Sequence, residues 1–250
     1  FWKQISSLGI KVLKFSDEIS KSIGFEEVNS LKLMYFIKPN FNNSNEQQKK
    51  LNIFFWDRGR IKINEWLNLF EEKEINEIVC FVKPDPGIKI DKKEYLEINK
   101  NYNFKLINKN FMPKKEFLDL IEKCNVFIAP RKKEGIGMAL VEAISKGIFI
   151  VGYNDSTMNE YISDNKIGFI FDKNTKEKLN LIDIVDNYDY RKRNAQLNYE
   201  KWTESKKKIV PMLKEETKKI NKIHFLPLFL IDDLKFLIKK IFKINFFYYY

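Results

Sequence analysis

Short runs of apolar residues recur along the chain and alternate with segments whose apolar positions repeat every three or four residues. The runs are continuous rather than alternating, which is typical of strands that are buried on both faces of a parallel sheet. The helical spacing is clearest at 63–70 and 117–124. The sequence therefore predicts an α/β fold, a parallel sheet with helices on both faces. Its predicted strands are 51–56, 77–82, 104–107, 126–129, 148–152 and 168–171.

The region before these strands has its own short pattern. Residues 11–15 and 31–37 are predicted as strands, and Ser16 is predicted to begin a helix between them. This βαβ-like unit is too small to stand alone, and a polar stretch separates it from the rest. The predicted divisions are 1–42 for this remnant of a first domain, 43–50 for the linker, 51–205 for the sheet-forming domain and 206–250 for a basic amphipathic tail.

Charge and cysteine content narrow the class of protein. The formal net charge is +11, yet only five of the 45 basic residues are arginine. Readers of nucleic acid favour arginine at base edges, so we expect no nucleic-acid partner. Cys80 and Cys124 lie in apolar stretches, which predicts buried free thiols in a reducing compartment rather than a disulfide framework.

Candidate chemistry is concentrated in residues 129–143, which follow a predicted strand and lead into a helix near Gly137. Gly135 and Gly137 would let the backbone approach a ligand closely, and free amides at a helix start favour an anion such as phosphate. Glu134 precedes the glycines, and Glu142 follows eight residues later. Since two carboxylates would repel a lone phosphate, the pattern favours a phosphate with hydroxyl-rich groups on either side, a sugar and a ribose.

With Gly-x-Gly between two glutamates, this loop resembles the donor-binding motif of retaining GT-B glycosyltransferases of family 4 (group 1). The resemblance covers residues 11–205. It includes Phe55-Trp56-Asp57-Arg58 with Lys62, the stretch from Phe111 to Pro130 before the motif, and the stretch from Lys146 to Gly168 after it. It implies a Rossmann-like donor-binding domain, the C-terminal domain of the GT-B fold, in a chain that lacks most of the N-terminal domain.

The resemblance also implies roles for individual residues. Glu134 would bind hydroxyls of the donor sugar, and Glu142 would bind the ribose diol. Arg58 and Lys62 would neutralise the diphosphate leaving group, whose charge grows as the glycosidic bond breaks. Donor-binding backbone amides would come from Gly135, Ile136, Gly137 and Met138.

The implied enzyme is a metal-independent, retaining hexosyltransferase that uses a nucleotide-diphosphate sugar. Its acceptor would be a cell-surface glycan or a lipid-linked molecule, and no cofactor and no metal site are expected. The only histidine is His224 in the tail, and the sequence has no Asp-x-Asp. With its acceptor domain mostly absent, this fragment alone is expected to be inactive. Two alternatives stay open: a non-catalytic nucleotide-sugar-binding module, and a basic protein that binds membranes or nucleic acid.

Two features leave the cationic residues ambiguous. Arg131 and Lys132 replace the small residue that the family commonly has before the motif. They are interpreted either as further phosphate or acceptor contacts or as subfamily features. Arg60 lies between Arg58 and Lys62, so any of these three side chains could be a surface charge.

The acidic candidates also have ordinary interpretations. Glu134 could cap the following helix, and Glu142 could be a solvated residue on its surface. Asp85 lies in Pro-Asp-Pro-Gly, where turn chemistry is favoured over catalysis. Glu160 is interpreted either as an indirect donor contact or as a charge at a helix N-terminus.

The end of the chain predicts a surface-binding helix. Residues 201–250 hold 12 lysines against five acidic residues, and 228–244 have an apolar face and a lysine-rich face. No run of about 18 apolar residues is present to span a bilayer. We therefore expect a cytoplasmic, peripheral protein whose residues 225–250 bind the inner membrane surface. The alternative is that this helix packs on the protein itself.

Overall fold

The computed structural model describes residues 10–22, 30–41, 49–91, 93–154 and 157–214. The first elements are β1 (Val12–Lys14), α1 (Asp17–Ser22) and β2 (Ser30–Lys32), and the two strands pair in parallel. The Ser16 hydroxyl accepts a hydrogen bond from the Glu18 N–H (3.1 Å), which confirms Ser16 as the start of this helix.

The second predicted strand, 31–37, is shorter than expected. Its pairing with β1 finishes with a hydrogen bond from the Leu33 N–H to the Lys14 carbonyl (2.9 Å). Phe36 then packs edge-to-face on Tyr161, with ring centroids 5.4 Å apart, and the Asn40 N–H donates to the Ser145 carbonyl (3.2 Å). The chain leaves the strand pair because the Phe36 side chain is buried against the main domain and the Asn40 backbone bonds to it instead.

Six further strands form one sheet in which all neighbours are parallel. They are β3 (Leu51–Asp57), β4 (Ile75–Val82), β5 (Phe104–Ile107), β6 (Val126–Ile128), β7 (Phe149–Tyr153) and β8 (Gly168–Phe171). Their order across the sheet is β5-β4-β3-β6-β7-β8. The parallel α/β fold predicted from the apolar runs is confirmed.

Helices cover both faces of this sheet. On β3, Leu51, Ile53 and Phe55 contribute to one buried core, while Phe54 and Trp56 contribute to the other. A strand buried on both faces needs apolar residues at every position, which explains the continuous runs in the sequence. The helices are α2 (Ile63–Leu67), α3 (Lys93–Asn101), α4 (Lys114–Glu122), α5 (Met138–Ser145), α6 (Leu181–Asp186), α7 (Tyr188–Ser205) and α8 (Ile209–Lys214).

Glu160 ties the first elements to the main domain. Its Oε1 accepts hydrogen bonds from the Ser16 hydroxyl (2.7 Å) and the N–H groups of Asp17 (2.7 Å) and Glu18 (3.1 Å). Burial opposes ionisation, but the Lys32 ammonium and these donors together hold the pKa of Glu160 below its ordinary value. Glu160 is therefore a charge at a helix N-terminus, that of α1, which favours the second of its two interpretations.

Cys80 and Cys124 are buried free thiols, as predicted, and burial raises the pKa of Cys124 to about 12. Among the described residues, no helix combines the length and the apolar character that crossing a membrane requires. The tail helix expected at 225–250 and His224 lie outside the described residues.

The strand order identifies where a ligand is expected. The chain runs outward from β3 through β4 to β5 on one side, and from β6 through β7 to β8 on the other. In open parallel sheets, ligands bind at the carboxyl ends of the strands where the order reverses. Here that point lies between β3 and β6, next to Arg58 and the loop at 129–137.

Candidate functional site

The loop after β6 is held in place by Glu134. The Glu134 N–H donates to the Thr157 hydroxyl oxygen (2.9 Å), and that hydroxyl donates back to the Glu134 carbonyl (2.7 Å). Gly137 is the N-cap residue of α5, and no side chain caps that helix. The interpretation of Glu134 as a helix cap is therefore wrong.

The start of α5 has the backbone donors that an anion needs. Within the described residues, the amides of Gly135, Ile136 and Gly137 donate no hydrogen bond, whereas the Met138 N–H donates to the Ile136 carbonyl (2.9 Å). A Cβ on Gly135 would meet nothing within 4 Å, so this glycine borders open space. Three unpaired amides beside that space suit a phosphate or a sugar oxygen.

Glu142 lies inside a cavity and not on a solvated helix face, since only 9% of the residue is exposed. The cavity has a volume of about 560 Å³ and opens at the carboxyl ends of β3 and β4. Lys114 Nζ lies 3.0 Å from Glu142 Oε1, while Arg58 and Lys83 complete the charged part of the lining. The apolar walls include Trp56, Phe81, Phe111, Met112, Phe117 and Met138.

Arg58 lines the same cavity as Glu142, but Lys62 does not. The Arg58 guanidinium stacks over Trp56, 4.7 Å from the ring centroid, and donates to Asp85 Oδ1 from Nε (2.8 Å) and Nη2 (2.5 Å). Lys62 is exposed at the N-terminus of α2, where its N–H donates to Glu65 Oε1 (3.3 Å). The structure thus brings together one of the two predicted cations with the predicted ribose-binding carboxylate.

Asp85 is the centre of an arginine cluster that the sequence did not reveal. Besides Arg58, it accepts hydrogen bonds from Arg60 Nε (3.0 Å), Arg131 Nε (3.1 Å) and Arg131 Nη2. Only 8% of its side chain is exposed. Burial opposes ionisation, but the Arg131, Arg58 and Arg60 guanidiniums outweigh it and hold the pKa of Asp85 well below its usual range. The role of Asp85 thus extends beyond the turn.

Arg131 continues the cluster to Glu134. Its Nη1 donates to Glu134 Oε1 (2.9 Å), so two carboxylates flank one guanidinium. Burial raises the pKa of Glu134, and the Arg131 charge limits that rise. A continuous set of charged contacts therefore runs from Arg58 at the cavity, through Asp85 and Arg131, to Glu134 at the glycine loop.

One signal in the sequence could have identified this cluster. The chain contains five arginines against a large excess of lysine, and three of the five are Arg58, Arg60 and Arg131. All three follow predicted strands at the same edge of the sheet. Scarce arginines that converge in this way indicate planar, bidentate recognition of a carboxylate or a phosphate.

The described residues contain no group of three His, Cys, Asp or Glu side chains arranged to hold a metal ion.

Solved structures of similar fold include the following three, each with a TM-score above 0.5. A sucrose-phosphate synthase from Thermosynechococcus elongatus has a TM-score of 0.57 at 11% identity, and 81% of this chain aligns with 58% of that one. A glycosyltransferase from Rickettsia africae has a TM-score of 0.56 at 14% identity (88% of this chain, 67% of that one). HepE from Anabaena, solved in complex with UDP, has a TM-score of 0.54 at 10% identity (82% and 63%).

At these identities the likeness is one of fold, and the six-strand sheet corresponds to a GT-B Rossmann-like domain. This chain spans less than two thirds of the length of two of these three proteins. No curated protein sequence matches it significantly. A family profile described as glycosyl transferases group 1 matches residues 63–201, which is more than half of the chain. With the GT-B sheet and the motif loop in place, that match shows that the chain belongs to the glycosyl transferases group 1 family.

Proposed function

We propose that this chain is the donor-binding part of a glycosyltransferase that moves a hexose-type sugar from a nucleotide-diphosphate sugar to an acceptor. One observation carries the proposal: the charged groups are ordered along one edge of the sheet. Glu142 and Arg58 share a cavity, and Asp85 and Arg131 connect Arg58 to Glu134. A nucleoside, a diphosphate and a sugar follow one another in the same order.

The nucleoside would occupy the cavity that holds Glu142. Its walls are mainly aromatic and apolar, which suits a planar base, while a carboxylate can accept both hydroxyl protons of a ribose diol. The Lys114 ammonium lies 3.0 Å from the Glu142 carboxylate. The UDP complex of the Anabaena protein supports a nucleotide in this fold.

The diphosphate would lie against Arg58 and the free amides that precede α5. Negative charge grows on the departing diphosphate as the bond to the sugar breaks, so a fixed guanidinium stabilises the transition state more than the ground state. Lys62 is retained as a second cation from the family resemblance. With protein cations in this role, we expect turnover to be independent of divalent metal, which activity in excess chelator would test.

Glu134 would bind hydroxyls of the transferred sugar, beside the open space at Gly135. Retention at the anomeric carbon is part of the proposal through the family resemblance, and NMR of the product's anomeric proton would test it. We propose a cell-surface glycan or a lipid-linked molecule as the acceptor.

The proposal is tested by comparing the two glutamates. Thermal-shift screening against UDP-, GDP-, ADP- and dTDP-sugars first identifies the base. Calorimetry should then show that Glu142→Ala weakens binding of the free nucleotide and of the nucleotide sugar alike. Glu134→Ala should weaken binding of the nucleotide sugar only. Each loss is expected to be about tenfold to a hundredfold, since charged hydrogen bonds are worth about 1.5–3 kcal/mol.

Glu177→Ala is the matched control, because Glu177 is exposed and lies outside the cavity of Glu142. Unchanged affinity for the free nucleotide in Glu142→Ala would contradict the assignment of the ribose. Donor binding without any transfer in a longer form that includes the N-terminal domain would favour the non-catalytic module instead.

The same proposal places the protein at the cytoplasmic face of the inner membrane through residues 225–250. Each lysine near an anionic surface contributes about 1 kcal/mol, so binding should depend on lipid charge and salt. The whole chain should sediment with anionic vesicles at low salt, and deletion of 225–250 should release it. Sedimentation that survives the deletion, or no sedimentation of the intact chain, would contradict this part.

A further inference from the structure

A second cavity lies beside the first, and every residue that lines it is charged. Its volume is about 590 Å³. It shares no lining residue with the cavity of Glu142, since Arg58 faces the first cavity and its partner Asp85 faces the second. Four of the lining side chains are cationic and one is a carboxylate: Arg60, Arg131, Lys132, Lys133 and Asp85.

Contacts with neighbouring residues hold four of the five side chains that line this cavity. Asp85 binds both Arg60 and Arg131, and Arg131 is held from its other side by Glu134. Lys132 Nζ lies 3.6 Å from the centroid of the Tyr153 ring, and the Lys132 carbonyl accepts a hydrogen bond from the Thr157 N–H (3.1 Å). The lining therefore combines the loop after β6, which carries three of the cations, with Arg60 after β3 and Asp85 after β4.

Several cationic nitrogens in this lining remain available to donate hydrogen bonds to an anion. Arg60 uses only Nε on Asp85, and its two terminal nitrogens make no hydrogen bond to another described residue. The Lys132 and Lys133 ammonium groups likewise donate to no described residue. One carboxylate leaves this group of cations with excess positive charge, and a bound anion would reduce their mutual repulsion.

We propose that this cavity is a second anion site that binds a phosphate or carboxylate group of a substrate. It is distinct from the nucleotide cavity and from the diphosphate contact at Arg58. Because Arg131 joins it to Glu134, the bound group belongs to the transferred sugar or to the acceptor. That identification of the source rests on the proposed function, whereas the anion site itself does not.

The first test is calorimetric titration of the whole chain with inorganic phosphate at fixed, low ionic strength. Lys132→Gln/Lys133→Gln should weaken phosphate binding about tenfold, as expected for the loss of charged hydrogen bonds. The control is Lys173→Gln/Lys176→Gln, a pair of exposed lysines three residues apart in another loop, outside both cavities. It should leave the affinity within twofold. Equal affinity in the test variant and the wild type would overturn the proposal.

A second arm separates this site from the diphosphate contact. Phosphate titration is repeated at saturating concentration of the nucleoside diphosphate that the donor screen selects. An unchanged phosphate affinity supports two sites, whereas competition between the two ligands overturns the proposal. If no nucleotide binds but phosphate binding still depends on Lys132 and Lys133, the proposed function fails and the anion site stands.

A third arm identifies the source of the anion. The lysine pair variant is titrated with a nucleotide glucuronic acid and with the corresponding nucleotide glucose. Selective loss of the acidic donor assigns the site to the transferred sugar. If the variant binds both donors with wild-type affinity but binds phosphate more weakly, the site is assigned to the acceptor. Arg60→Gln provides an independent variant, and its phosphate affinity should fall in the same direction.

Discussion

The two cavities at the end of the sheet have similar volumes but opposite chemistry. The cavity of Glu142 is walled by aromatic and apolar side chains with a few charged groups, whereas the second cavity is lined by charged side chains alone. The first can bind by shape and by excluding water from a few hydrogen bonds, and the second can bind only through charge. Salt should therefore weaken ligands of the second cavity more than ligands of the first.

The ion pair Arg58–Asp85 lies at the boundary between the two cavities, with Arg58 lining the first and Asp85 lining the second. This pair explains how an apolar cavity and a charged cavity can be neighbours. Arg58 contacts the indole of Trp56 on the apolar side and the Asp85 carboxylate on the charged side. Guanidinium suits both contacts because it is planar and weakly hydrated, which a lysine ammonium is not. The comparison predicts that changes at this boundary have larger effects than changes within either cavity.

The largest effect is expected at Arg58. In the enzyme with its acceptor domain, Arg58→Ala should lower kcat by about a hundredfold to a thousandfold, because its partner charge develops during the reaction. Lys62→Ala should lower kcat by less than about tenfold, since Lys62 is exposed and outside the cavity. Steady-state kinetics with an identified donor and acceptor measure both. Equal losses in the two variants, or a raised KM alone in Arg58→Ala, would contradict this assignment.

A smaller effect, on stability, is expected at Asp85. Asp85→Asn leaves the Arg58, Arg60 and Arg131 guanidiniums facing one another without a carboxylate. Breaking a fully buried pair costs about 3–5 kcal/mol, but Arg60 and Arg131 keep contact with water, so we expect a loss of about 2 kcal/mol in the free energy of unfolding. Urea denaturation measures it. The control Asp119→Asn, at an exposed position, should change stability by less than about 0.5 kcal/mol.

The pH dependence of stability gives the same prediction an independent check. The pKa of Asp85 is lower in the folded protein than its ordinary value, so its contribution to stability is complete above the ordinary value and is lost progressively as the pH falls from there towards the lower folded-state pKa. From about pH 5 downwards, wild-type stability should fall more steeply than that of Asp85→Asn, and the difference between the two should narrow as the pH falls. Parallel curves over this range would show that the arginine cluster does not stabilise the ionised carboxylate.

Much of the fold could be predicted because its strands are local apolar runs. The strand predicted at 104–107 agrees with β5, and the run at 77–82 lies within β4. Helix α7 was not predicted, since its buried positions are Tyr188, Arg191 and Ala195 and so lack an apolar stripe. The strand predicted at 31–37 was too long. An apolar run in the sequence reports burial, and burial alone does not distinguish a paired strand from an extended segment that packs on the main domain.

Two parts of the candidate site, the glutamates of the motif and Asp85, also differ in whether local sequence could reveal them. Glu134 and Glu142 could be found because a loop and one helix carry both, so spacing in sequence reports their spacing in the fold. Asp85 could not, because it lies 27 residues from Arg58 and 46 from Arg131. Only the parallel sheet brings the ends of β3, β4 and β6 to one edge and places these side chains in contact.

The smallest effect is expected from the two glycines of the motif, which separate ligand binding from packing. A Cβ on Gly137 would lie 2.5 Å from Met158 Sδ, and Met158 is only 1% exposed, so the thioether has little room to move. We expect Gly137→Ala to lower the free energy of unfolding by about 1 kcal/mol.

A Cβ on Gly135 meets nothing within 4 Å, and the backbone there does not require a positive φ. Gly135→Ala should therefore leave urea denaturation unchanged and weaken the nucleotide sugar a few-fold, because the new methyl group occupies space proposed for the ligand. If Gly135→Ala instead destabilises the protein and binds donor normally, the open space beside Glu134 is not the sugar subsite, and the order of groups along the sheet edge must be assigned differently.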